Sequence, residues 1–258
     1  MKAYRIFAAI IMTTTTASVS DAQLSGVAKW ADSASREIEA GNAAGDIARI
    51  RNAEAMIERV LSVTPGEPSL LYYQALALYR QASLQMGLNR KDDAKRALNQ
   101  ADRLLETLNR KSPTADALAL RSSITGQMIG LSSNPLAGMT MGPRANDLMD
   151  KAVRLGPSNP RVWLMRGMSA MFTPKMFGGG TDKAEDYLTK AIAFFDTDKA
   201  QPPAPTWGLV DAYIWLGQAL QKNEKYEQAR SAYNKALELQ PENQWVTRVL
   251  LPSLSANK

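Results

Sequence analysis

The stretch YIWLGQALQKNEKYEQARSAYNKALELQP, residues 213–241, constrains the fold more than any other part of the chain. Tyr213, Leu216, Gly217 and Leu220 recur at helical spacing; after a short polar break, Ala229, Tyr233 and Ala236 do the same, and Pro241 follows. Small residues at Gly217 and Ala229 let two antiparallel helices approach closely, Leu216 and Tyr233 fill the seam, and Pro241 stops the second helix. A hairpin of this size cannot bury its apolar face alone, so it must stack on copies of itself. The second-helix offsets do recur, at Ala53, Ile57, Val60 and Pro65 and at Ala145, Met149, Ala152 and Pro157. They recur without the proline at Ala94, Leu98 and Ala101 and at Ala184, Leu188 and Ala191, so the five copies start 41, 51, 39 and 45 residues apart. Second helices are therefore predicted near 47–63, 91–108, 143–155, 181–195 and 225–240, with a capping helix over 242–254.

First helices are legible in part. WLMRGMSA puts Trp163 and Gly167 at the aromatic and small positions, and YQALALYR does so with Tyr73, Leu76 and Ala77. Strand-like alternation of Val, Ile and Thr is nearly absent, and the composition favours strong helix formers, so the predicted fold class is all-α.

These offsets resemble the tetratricopeptide repeat (TPR). The resemblance implies a right-handed superhelix, an α-solenoid of about five helix hairpins without a sheet, built from residues 23–258 as one domain. It also implies a concave groove lined by first helices, where such proteins bind peptides or protein partners. The groove positions lie two before and one, five and eight after each first-helix aromatic. They are Leu71, Gln74, Leu78 and Gln81; Arg161, Leu164, Met168 and Met171; and Asp211, Ile214, Gln218 and Gln221. The set mixes apolar contacts with amides able to bond an extended peptide. It lacks the paired Lys and Asn with which chaperone-binding TPR proteins clamp a C-terminal carboxylate.

Two segments interrupt the repeat frame. TPKMFGGGTDKA, residues 173–184, holds three consecutive glycines, but Lys183 is followed by Ala184 rather than a hydroxyl residue and no strand precedes it, so it is not a phosphate-binding P-loop. From Ala170 to Ala184 and from Arg80 to Ala94 the count is 14, against nine from Leu220 to Ala229, so both units carry a five-residue insertion at one place. PKMFGGGTDKA also resembles an insertion in secreted TPR-like proteins, some of them linked to transport systems. The other segment, Thr125 to Pro143, is rich in Gly, Ser, Pro and Met and is predicted to be the longest loop, a lid or a disordered stretch.

The N-terminus has the order of a secretory leader: Lys2 and Arg5, seven apolar residues from Ile6 to Met12, then small polar residues up to Ala22. Cleavage after Ala22 gives an exported, most simply periplasmic, protein; it removes Lys2, Arg5 and Asp21, leaving 29 basic and 24 acidic side chains and a charge of +5. No later run is long and apolar enough to span a membrane.

Cysteine and histidine are both absent, which removes disulfides, thiolate or imidazole metal sites and the His-dependent triads. Asp and Glu fall on predicted helix surfaces beside Lys and Arg, as in RKDDAKR, so no catalytic residue is assigned and an enzyme is not expected. Eight of the 12 methionines lie between Met128 and Met176. Thioethers suit Cu(I), yet Met165, Met168 and Met171 at three-residue steps are what one packed helix face demands. No metal and no cofactor is expected. The basic balance lacks the Lys/Arg stripe with interleaved aromatics that nucleic-acid binding needs. The functional expectation is an exported scaffold that binds a protein or peptide. The alternative is a small-molecule-binding helical component of a transport system, with 125–143 as its lid.

Overall fold

Ring against glycine closes the last hairpin. A Cβ on Gly217 would lie far inside van der Waals contact with the Tyr233 ring, so only glycine lets this fully buried tyrosine wedge between the two helices. In the computed structural model, which describes residues 21–255, five such hairpins follow one another. They are α1 (Asp21–Ala44) with α2 (Ile47–Leu61), α3 (Pro68–Gly87) with α4 (Lys91–Lys111) and α5 (Ala115–Leu131) with α6 (Ala137–Leu155). Then come α7 (Pro160–Phe172) with α8 (Thr181–Phe195) and α9 (Leu209–Lys222) with α10 (Tyr226–Leu239). A π-turn (Val246–Leu250) and α11 (Leu251–Ser255) close the end, covering the last hairpin with Val246, Leu250 and Leu254. Among the described residues there is no strand, and the architecture is an all-α solenoid. The expected leader, residues 1–22, lies outside the described residues except for Asp21 and Ala22, which begin α1.

Local chemistry sets the helix starts. Asp46, Thr114 and Asn159 each accept a hydrogen bond from a first-turn amide, and Pro68 and Pro160 stand at first helical positions where no donor is needed. The first helices α1, α3, α5, α7 and α9 pack on one another in sequence, forming one layer, with the second helices outside it. Helix α3 touches α1, α2, α4 and α5, and its Tyr73, Leu76 and Tyr79 are almost wholly buried.

The predicted long loop over 125–143 is not there. Helix α5 runs on to Leu131 and α6 begins at Ala137, leaving only 132–136 as a connection. Pro143 is the seventh residue of α6 and leaves the Met139 carbonyl without its i+4 amide donor, while one turn earlier Thr140 Oγ1 bonds the carbonyls of Leu136 and Ala137.

The two five-residue insertions also differ in form. In the second hairpin the extra residues lengthen α3 as helix. In the fourth they form a short 3-10 turn, Lys175–Phe177, followed by the glycines. Gly178 and Gly180 take φ of 88° and 114°, and a Cβ on Gly179 would collide with the Thr173 carbonyl. The three glycine amides bond the carbonyls of Lys175, Pro174 and Ala170, so they turn inward and offer nothing to an anion.

Candidate functional site

The structure closes most of the twelve positions that the repeat frame puts in the groove. Gln74 donates to Glu58 Oε1 (3.1 Å) and Gln81 to Glu54 Oε2 (2.6 Å), both on α2. Leu78, Leu164, Met171 and Ile214 are buried, and Gln221 is held between the Tyr233 hydroxyl and Ser253. Leu71, Met168 and Gln218 stay partly exposed. Met165, the first of the methionine series, is buried and its sulfur accepts from Ser123 Oγ at 2.9 Å.

Arg161 and Asp211 belong to ionic knots. Arg80 of α3 bonds Glu39 of α1 (2.8 Å) and Asp211 of α9 (2.6 Å), so one buried guanidinium joins the first, second and fifth hairpins. Arg161 of α7 bonds Asp116 of α5 (2.6 Å) and Asp198 (2.8 Å). Asp198 lies in the connection from α8 to α9, residues 196–208, and this strap is drawn over the first-helix layer. Arg161 holds its start, the Tyr73 hydroxyl donates to the Ala204 carbonyl (3.2 Å), and Trp207 Nε1 donates to the Tyr72 hydroxyl (3.1 Å). The Arg80 guanidinium sits 4.9 Å from the centre of the buried Trp207 ring. At this end, then, the inner face is covered by the protein's own Pro-rich segment.

Two carboxylates share one Arg80 cation. Burial pushes the Glu39 carboxyl up to about 7, Asp211 adds to the rise and Arg80 opposes it. For Arg80 itself, burial works against the charge, but the two carboxylates outweigh it and raise its pKa. The folded state thus holds the Glu39 proton to a higher pH than the unfolded chain, whose ordinary value is 4.5. Stability from that proton is complete below 4.5 and is lost as pH rises through 7. Thermal melts followed by circular dichroism at pH 5 and pH 8 should show the wild type losing a few degrees more than Glu39→Gln on going to the higher pH; parallel losses would contradict the assignment.

At the other end the first-helix layer carries a partly exposed aromatic row. Phe172 at the end of α7, Trp215 on α9 and Trp245 just before the π-turn meet edge to face, with ring centres 5.8 and 5.9 Å apart. Phe172 is 70% exposed and Trp245 41%. Met176 and Phe177 on the glycine-run turn are exposed beside Phe172 in the chain, and Lys222 Nζ stands 5.6 Å from the Phe172 ring. Gln218, one helical step from Trp215, has an Nε2 without a hydrogen-bond partner. Sequence reasoning missed this row because Phe172, Trp215 and Trp245 fall outside the repeat's aromatic position. It missed the strap too, although Pro202, Pro203 and Pro205 signalled a connection.

Stacked hairpins with one layer of first helices define a helical-repeat protein of the α-solenoid class. Tetratricopeptide repeat profiles match residues 38–85, 76–104 and 210–243. These segments carry tetratricopeptide repeats. Its fold is similar to that of the HusA haemophore from Porphyromonas gingivalis, with a TM-score of 0.61 at 22% identity over 75% of this chain and 94% of that one. It is likewise similar to a thermophilic TPR protein of Thermus thermophilus, with a TM-score of 0.58 at 22% identity over 88% and 99% of the two chains. No curated protein matches the chain. Among the described residues no helix is long and apolar enough to cross a membrane, and no cluster of acidic side chains could hold a metal ion.

Proposed function

We propose that the protein is an exported TPR scaffold that holds a protein or peptide partner on its first-helix face, with Phe172, Trp215 and Trp245 as the anchor. One observation carries this reading: three large aromatics touch one another at the strap-free end of the layer, with Phe172 and Trp245 exposed and Trp215 partly buried between them. Exposed aromatic clusters of this kind mark interaction sites, and aromatic anchors supply most of an interface's binding energy. Met168 and Gln218 contribute the neighbouring apolar and amide contacts that an extended peptide uses. Leu71 also stays partly exposed, whereas Gln74 and Gln81 are held by Glu58 and Glu54 of α2. Export to the periplasm rests on Lys2, Arg5 and the apolar run Ile6 to Met12.

A small-molecule carrier of a transport system is the second reading, since the same row would stack a planar ligand. Affinity capture from native envelope separates the two. The wild type should recover a partner that Phe172→Glu loses by about tenfold or more, as loss of an anchor predicts. Undiminished recovery with the variant would sink the docking assignment. Quenching of tryptophan fluorescence by a planar dye, with no protein recovered, would favour the carrier.

A further inference from the structure

On the second-helix side, between α4 and α6 and floored by α5, lies an open trough of about 510 Å³. Its floor is apolar: Leu118 and Leu148 are buried there, and Leu155 at its edge is half exposed. Its rim is basic, with Arg110, Arg121, Lys151 and Arg154 against the single carboxylate of Glu106. Arg121 is committed to Asp102 and Glu106, Arg110 to Glu106 and Lys151 to Asp147, whereas Arg154 has no carboxylate partner among the described residues. Basic residues at the ends of α4 and α6 also answer the helix dipole, but the dipole explains neither the apolar floor nor the next feature. Asn109 lines the trough with both amide atoms, Nδ2 and Oδ1, shut from solvent and without a hydrogen-bond partner. Such an orphaned amide is costly and calls for an absent partner.

We propose that this trough binds an amphipathic organic anion, a carboxylate or similar acidic head on a short apolar tail. The tail lies on Leu118, Leu148 and Leu155. The head meets Arg154 at the rim, with Lys151 shared between it and Asp147, and draws the Asn109 amide into hydrogen bonding. This site is separate from the aromatic row and independent of the proposed docking function.

Titration of the ¹⁵N-labelled protein with octanoate tests it. Octanoate should shift the Asn109 side-chain amide, and 1-octanol, with the same tail and no charge, should bind about tenfold or more weakly. The double variant Lys151→Gln with Arg154→Gln, at two exposed sites, should lower the melting temperature by no more than a few degrees and weaken octanoate to a similar degree. An unmoved Asn109 amide, equal binding of octanol, or equal affinity in the double variant would overturn the proposal. Co-flotation with phosphatidylglycerol vesicles, without any response to octanoate, would assign the basic rim to a lipid surface and overturn it as well.

Discussion

Replacing Arg80 with methionine is expected to destabilise the protein by about 3–5 kcal/mol, the cost of removing one partner from a buried ionic cluster. Methionine keeps most of the apolar stem, so the loss isolates the charge. Glu39 and Asp211, with side chains only 21% and 11% exposed, would face one another with no cation between them. The packing of the guanidinium on Trp207, which anchors the strap, would go with it. Adding Glu39→Gln and Asp211→Asn in the Arg80→Met background removes the stranded charges and should recover a large part of the loss. Urea unfolding followed by circular dichroism measures all three proteins. A loss below about 1 kcal/mol for Arg80→Met, the worth of an exposed pair, would show that the knot does not hold the hairpins together.

The other large effect concerns the last hairpin. Tyr233→Ala should cost about 3–5 kcal/mol, because it empties a fully buried ring site and strands its hydroxyl's partner, Gln221 Oε1 at 2.9 Å. Gly217→Ala should cost about 1–3 kcal/mol by overpacking, since the new methyl lands in the ring. If ring against glycine is what closes the hairpin, Gly217→Ala should cost far less once Tyr233 is alanine. A double-mutant cycle reads that coupling directly, and simple additivity would contradict the interlock.

How much of this was legible in the sequence depends on whether the determinants are local. The hairpins around Gly167 and Gly217 declare themselves because small and large residues must alternate across one seam, and that alternation is written within some thirty residues. The end of α5 is not legible: Ala117 through Thr125 are all buried, and a helix enclosed on every side has no polar face to give it a period. Gly126, Gly130 and Pro143 then read as breakers, although α5 and α6 absorb them. The groove positions were counted as though the array were open. Arg80 reaching Asp211, 131 residues away, is a contact between distant hairpins that no local pattern encodes. The strap could have been found from its three prolines. The aromatic row could not, since Trp215 and Trp245 meet only when the capping turn folds back on α9.

The claim that the aromatic row is the docking site is tested most directly by photo-crosslinking. A benzophenone amino acid placed at Phe172, 70% exposed, should trap a partner in the native envelope, whereas the same probe at Leu88, 57% exposed on the turn between α3 and α4, should not. Trapping at Leu88 with none at Phe172 would contradict the account.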